Sequence, residues 1–516
     1  MKKTTSVARP TKQKTNVVIR SSIFTPMVQK SIYAIALILI VFGTSMYSIK
    51  NNRQFAMMGG MAEEYLQLGV NMYYSGNFYL SDSAKTPFVF RPPGYVKYLD
   101  LVLHASNDMK PKNYQYQSRE EFELEKNKVM NFIYFSQAIL LTGASLVLFL
   151  LLSEFLSVML ACAISLMFGI NPYLIMLTGI VHYAILHIFL MLVATWLTYL
   201  AFIRKKYGLV FLFMAGISWG LSTLVRPVSL IMPAIFAIML ILYYRKDWKS
   251  SVLYFSVFTL AFAFTIAPYT YRNYQLVHRI IPVNAQTGIS LWAGSQTSLD
   301  MDANHYRWWK IWYPDGQALY EKITGITGFE TAVYADHVLE LEDQFRQKFK
   351  ENISSHPMTY IGNISKNFLL LNFGINSVFI KMFQYQQHNN GEIDKTWLET
   401  GNKQDFYPSE ATNLFLIFII LLSGMSLAGI YLAIKFNDRL VYIPLMAFLT
   451  IAISHAITYM DLMYYYVRIP FLFVFTAFFI RHIGILIKKS NGMMIQRVIT
   501  LVLLTYMSLL YMAVII

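Results

Sequence analysis

Two adjacent carboxylates, Glu63 and Glu64, follow the first apolar stretch of the chain, and Arg91 follows them in the same polar segment. The acids sit on a helix-like stretch, Met61 to Tyr74, in which Tyr65, Leu68, Met72 and Tyr73 can face the membrane, so a carboxylate is expected at the membrane–water boundary. Arg91 precedes Pro92 and Pro93. Two consecutive prolines fix φ twice and force the residue before them into an extended conformation, so the guanidinium is held at a stiff corner. A guanidinium fixed at headgroup level suits a phosphate. The plainer readings are a solvent-facing acidic pair in the first turn of a helix and an interfacial arginine anchor. Other spacings carry less. Asp300, Asp302 and His305 could hold a divalent cation, but such trios are common on loops by chance, so no metal is expected. His182 and His187 lie five apart, on poorly matched helix faces, and suggest no zinc site. Cys162 stands alone and excludes an internal disulfide or cysteine cluster. Asn352-Ile353-Ser354 and Asn363-Ile364-Ser365 are glycosylation sequons. No nicotinamide, nucleotide or haem motif is present, and Gly59-Gly60 is too short for a phosphate loop.

The elements that must position these residues are apolar spans. The chain has 516 residues, of which 56% are hydrophobic and 14% charged, with a mean hydropathy of +0.44, which excludes a soluble protein. A span needs about 20 apolar residues. Runs of that kind fall near 31–48, 129–152, 155–176, 182–203, 209–225, 228–244, 251–268, 411–434, 440–459, 469–486 and 498–516. A basic tail, 1–30, precedes the first, which is too long for a signal peptide and lacks a cleavage site. With the N-terminus in the cytoplasm, the turns at Arg204-Lys205-Lys206, Arg245-Lys246, Lys435 to Arg439 and Lys488 to Arg497 fall inside and are basic, and only Ser153-Glu154 lacks a base. Two long segments, 49–128 and 269–410, then lie outside, and function is expected there. The charged stretch Arg119 to Lys128 reads as a solvated helix leading into the second span, and 269–410 as a small, mainly helical subdomain with a helix near Val333 to Lys350. The net charge of +15 would raise nucleic-acid binding in a soluble protein. Here the outer segments, together with Arg226, Asp461 and Arg468 at external span ends, hold 24 basic and 25 acidic residues and the remainder 19 and 3, so the charge is an orientation signal.

Four motifs, in order along the chain, resemble a known superfamily. Glu63-Glu64-Tyr65, Gly76-Asn77-Phe78 and Arg91-Pro92-Pro93-Gly94-Tyr95 are similar to the first external loop of the C-type membrane glycosyltransferases (GT-C), which include aminoarabinose transferases and protein O-mannosyltransferases. Leu224-Val225-Arg226-Pro227 resembles their Arg-Pro between middle spans, Tyr271-Arg272-Asn273-Tyr274 their entry into the large external segment, and Tyr466-Val467-Arg468-Ile469-Pro470 their late aromatic-Arg-x-Pro. The resemblance implies an all-α polytopic protein, a GT-C-like bundle of about 11 transmembrane helices with a mainly helical external loop and subdomain. It divides into the tail 1–30, the bundle 31–268 with the external loop 49–128, the external subdomain 269–410 and the last helices 411–516.

The same resemblance implies an inverting transferase that uses a polyprenyl-phosphate-linked sugar. An acid of the first loop would act as base, here Glu64 or Glu63, with Glu64 favoured. Arg91, Arg272 and Arg468 would face the donor phosphate, and His182, Tyr95 and Arg226 are accessory candidates. The acceptor would be a lipid, glycan or protein at the external face of a bacterial cytoplasmic membrane; membrane lipids are the other partner, and no nucleic acid or cofactor is expected. The chain departs from its relatives at Met61 and Ala62, where many carry an Asp, and between Asn171-Pro172 and His187, where an external acid is common and none is present. A polymerase or ligase of lipid-linked glycans, a transporter or lipid-carrier flippase, and an inactive scaffold stay open as alternatives.

Overall fold

The computed structural model describes residues 26–51, 60–79, 88–107, 109–111, 119–244, 247–296, 316–327, 331–373, 410–458, 466–488, 492–500 and 502. Eighteen α-helices carry them: α1 (Pro26–Asn51), α2 (Gly60–Ser75), α3 (Pro93–Ser106), α4 (Arg119–Leu152), α5 (Val158–Gly169), α6 (Pro172–Thr178), α7 (Ala184–Ile203), α8 (Gly208–Val225), α9 (Met232–Tyr244), α10 (Trp248–Val277), α11 (Thr287–Gly294), α12 (Gln317–Thr324), α13 (Thr331–Asp336), α14 (Val338–Ser355), α15 (Pro357–Phe373), α16 (Glu410–Lys435), α17 (Tyr442–Ile457) and α18 (Ile469–Lys488). No strand occurs among the described residues. Among the described residues nine helices are long and apolar enough to cross a membrane, or ten if one bent pair counts as a span. The chain is an all-α, multi-pass membrane protein.

The spans follow the hydropathy reading in order, nine or ten of its eleven runs being found among the described residues, with two local differences. The run 155–176 is not one straight helix: α5 and α6 meet at 57°. Pro172 supplies no N–H and disfavours helix at Asn171, whose side-chain oxygen instead accepts from the Tyr173 and Leu174 N–H groups and starts α6 afresh. The second difference is at Pro268, taken as the end of a span. α10 runs through it to Val277 and stops where His278 adopts φ 53°, so Arg272 and Asn273 are helical residues. The charged stretch from Arg119 continues into α4 without a break. Most of the eleventh run, 503–516, lies outside the described residues.

The bundle is packed through α7 against α8, α8 against α10, α4 between α1 and α7, and α16 against α18. At one end short charged turns tie the spans together. Glu154, in the turn without a base, takes Arg204 of the next basic turn at 3.0 Å. Asp438 receives Arg481 at 3.1 Å and His482 at 3.3 Å. Burial works against its charge, but His482 and the Arg481 guanidinium outweigh burial and hold the Asp438 carboxyl below the usual range. A depressed acid contributes stability above its unfolded pKa, near 3.9, and loses it as pH falls through the folded value. The gap in thermal unfolding midpoint between the wild type and Asp438→Asn should therefore be full at about pH 5 and above and shrink towards about pH 3. A gap that is constant across that range would show that the pair contributes nothing.

The opposite end carries the long segments. There α2 packs on α3, α3 rests on α4 and α8, and α11 to α15 form a helical layer joined to α17. The α3–α8 contact depends on Gly94: a Cβ there would stand 2.6 Å from the Val225 backbone nitrogen and 2.7 Å from the Leu224 carbonyl carbon. The Pro-Pro-Gly corner therefore rests directly on the residues before Arg226. Backbone cannot step aside as a side-chain tip can, so Gly94→Ala should destabilise by about 1–3 kcal/mol, read as a lower unfolding midpoint in detergent.

Candidate functional site

Glu63 and Glu64 part company in the folded chain. α2 turns Glu63 outwards, where it is exposed, and buries Glu64 to 6% exposure. Glu64 meets Arg91, whose Nε donates to Oε1 at 2.8 Å and whose Nη2 donates to Oε2 at 2.7 Å. This two-pronged pair matches the planar fork of the guanidinium to the carboxylate. The Arg91 side chain is 16% exposed. Burial alone would weaken its hold on the proton, but the charge and hydrogen bonds of Glu64 prevail and raise its pKa.

Aromatic rings surround the pair. The guanidinium carbon lies 4.5 Å from the Phe90 ring centre and 6.0 Å from that of Tyr65. Tyr65 stands edge-on to Tyr95 at 5.4 Å and to Tyr183 at 5.8 Å. Burial pushes the Tyr65 hydroxyl well above its usual range, so it stays protonated. Tyr334 of α13 packs on Phe90 at 4.7 Å, which brings the helical layer over the pair. Tyr95 acts here as a brace: its hydroxyl donates to Gln137 Oε1 at 2.9 Å, and the Gln137 amide donates to the Thr178 and Ile180 carbonyls.

The backbone beside Arg91 is held by a strap, residues 281–286. Asn273 donates to the Ile281 and Val283 carbonyls at 3.0 and 3.1 Å, and Thr270 to that of Pro282 at 2.9 Å. Asn284 then donates to the Phe90 carbonyl at 2.8 Å and the Ala285 N–H to that of Val89 at 2.9 Å. Arg272 joins this strap rather than the pair. Its Nη1 donates to Asn273 Oδ1 at 3.0 Å, and its guanidinium lies over Tyr269 and Phe78 at 5.1 and 5.5 Å. Asn273 stood inside a quoted motif, but Asn284 had no sequence signal: its value lies in a carbonyl that is remote along the chain.

Arg226 forms a second centre. It is the extended residue between α8 and Pro227, 6% exposed, and donates to the Tyr466 hydroxyl at 2.7 Å. Its guanidinium lies 5.3 Å from the centre of Tyr183. His182 stacks on Tyr183 at 4.2 Å, and the rings of His182 and His187 stand 6.0 and 6.3 Å from that of Tyr466. The helix-face argument separated these histidines; His182 precedes α7 and is not bound by its period. Arg468 is buried on the turn after Tyr466. Tyr464, Tyr465 and Asp461 lie outside the described residues.

Two further features were misread or unseen. Glu342 caps α11: its Oε1 accepts the Gly288 N–H at 2.6 Å and meets Arg346 at 3.3 Å, while burial raises its pKa. The sequon asparagines are spent on packing. Asn352 donates to Ser295 Oγ at 3.0 Å, and Asn363 to the Gly294 and Gln296 carbonyls at 3.2 and 2.9 Å.

Comparison with protein-family models and with curated proteins gives no match. Among solved structures, the chain is similar to the oligosaccharyltransferase of Archaeoglobus fulgidus in complex with Zn and sulfate, at 14% identity and a TM-score of 0.45, over 92% of this chain and 52% of that one. It is similar to the archaeal oligosaccharyltransferase AglB from Archaeoglobus fulgidus in complex with an inhibitory peptide and a dolichol-phosphate, at 14% identity and a TM-score of 0.43, over 94% and 55%. The same enzyme tethered to an acceptor peptide with the NVT sequon gives 14% identity and a TM-score of 0.43, over 87% and 49%. This chain spans about half the length of those proteins. They belong to the GT-C superfamily that the motifs resemble.

The zinc in the first of these complexes overturns the expectation that no metal is involved. Among the described residues no three His, Cys, Asp or Glu side chains stand together to hold an ion, and Asp300, Asp302 and His305 lie outside them. The buried acid of the site, Glu64, is committed to Arg91.

Proposed function

We propose that the chain is an inverting glycosyltransferase of the GT-C type, moving a sugar from a polyprenyl-phosphate carrier to a lipid, glycan or protein acceptor at the external face of a bacterial cytoplasmic membrane. The observation that carries this reading is the buried Glu64–Arg91 pair. The acid and the base singled out in the sequence as site residues meet in two hydrogen bonds, inside a shell of tyrosines, at the end of the bundle that bears the long segments.

In this reading Glu64 takes the proton of the acceptor nucleophile as that nucleophile bonds to the anomeric carbon. The bond between that carbon and the carrier oxygen breaks on the opposite side, and the lipid phosphate leaves with the electron pair. Positive charge stabilises the leaving oxygen; Arg91, Arg272 and Arg468 are the arginines assigned to it. Arg91 also fixes the Glu64 carboxylate in the plane of its fork, and the Asn273–Asn284 strap fixes Arg91. Tyr95 and Arg226 hold α3 and the end of α8 against this centre. The cytoplasmic N-terminus belongs to the same proposal, since the described basic turns, Arg204 to Lys206 and Lys435 to Arg439, fall at the end opposite the site.

Transfer of radiolabelled sugar from a polyprenyl-phosphate donor in proteoliposomes, beside a counterflow assay with the same sugar, tests the reading. Transfer without counterflow supports it. Counterflow without transfer would replace it with transport.

A further inference from the structure

Among the buried histidines that the proposed reaction leaves unused, His182 and His187 have incomplete hydrogen bonding. His182 is 4% exposed, and its Nδ1 accepts the Ala184 N–H at 3.2 Å. In the neutral ring the proton must then be on Nε2, and that N–H has no hydrogen-bond partner. His187 is 0% exposed with neither nitrogen partnered. Both rings flank Tyr466, whose hydroxyl takes the Arg226 guanidinium. His187 also lies in the first turn of α7, the positive end of a 20-residue helix.

Buried N–H groups are nearly always paired, because an unpaired one loses its water and gains nothing. Two such groups on one tyrosine, beside a guanidinium and a helix N-terminus, complement an anion with several acceptor oxygens. The donors come from three places, the residue before α7, its first turn and the end of α8, which suits the three terminal oxygens of a phosphate better than the two coplanar oxygens of a carboxylate. Arg91 is less available, since Glu64 already occupies two of its nitrogens, and Arg272 is tied to Asn273 and Tyr269.

We propose that His182, His187 and Arg226 form a binding site for a phosphate monoester, separated from the Glu64–Arg91 pair by the rings of Tyr65 and Tyr183. It rests on the reading of the carrier as a phosphate lipid, and it assigns the lipid phosphate monoester released when the sugar departs to this cluster rather than to Arg91, Arg272 or Arg468.

The test uses the full chain purified in detergent and three probes: farnesyl phosphate, inorganic phosphate and farnesol, which lacks the anion. Farnesyl phosphate should bind, farnesol should not, and His187→Gln and His182→Phe should each weaken farnesyl phosphate at least tenfold while Arg279→Gln, in the exposed ion pair with Asp343, does not. Inorganic phosphate binding as tightly as the lipid would support the site and assign it to the free ion. Where a variant fails to fold, density for the phosphate in a cryo-electron microscopy map of the wild type with farnesyl phosphate decides. Phosphate at Arg91 or Arg272, with water alone between the histidines, overturns this inference and leaves the transferase reading standing. No binding of farnesyl phosphate anywhere overturns both.

Discussion

Glu64→Gln should lower sugar transfer by about 10²–10⁴-fold, the usual contribution of a general base, while Glu63→Gln stays close to the wild-type rate. Gln keeps the size of the side chain and one acceptor for Arg91 but not the counter-charge, so the loss is read on kcat per folded enzyme. The contrast follows from burial: Glu64 is enclosed with its arginine and Glu63 faces solvent. The measurement is initial rate in proteoliposomes with the amount of folded enzyme checked by size exclusion. Equal losses in the two variants, or full activity in Glu64→Gln, would remove Glu64 from the role of base.

Arg91→Ala should cost about 3–5 kcal/mol of stability, because it leaves a carboxylate buried without its counter-charge. Both partners are largely shielded, at 16% and 6% side-chain exposure, so solvent screening discounts the figure little. Arg91→Lys should recover only part of it, since an ammonium cannot hold both oxygens in one plane. The double variant Glu64→Leu/Arg91→Met removes both charges together and should regain much of the stability while remaining inactive. A stable, inactive double variant separates the chemistry of the pair from its structural role. If Arg91→Ala unfolds at the wild-type midpoint, the pair is a surface contact and not a buried one.

The amino-acid sequence by itself determined the class of fold. Spans are read from about 20 neighbouring residues at a time, and the turns Arg204 to Lys206 and Lys435 to Arg439 mark one end by charge alone. Helices such as Gly60–Ser75 and Val338–Ser355 follow from local periodicity, and Arg91 was conspicuous because Pro92 and Pro93 restrain it locally. Only the tertiary structure showed that Glu64 is buried and Glu63 exposed. Successive helix residues point about 100° apart, and which direction is the interior depends on where α3 and the corner at Arg91 pack. The same is true of His182 and His187, brought together around Tyr466 on the turn before α18, more than 250 residues further on, and of Asn363, a sequon in sequence and a carbonyl clamp in space. A side chain's chemistry is local, but its partner is set by burial, and burial is a property of the packed bundle rather than of any window of sequence.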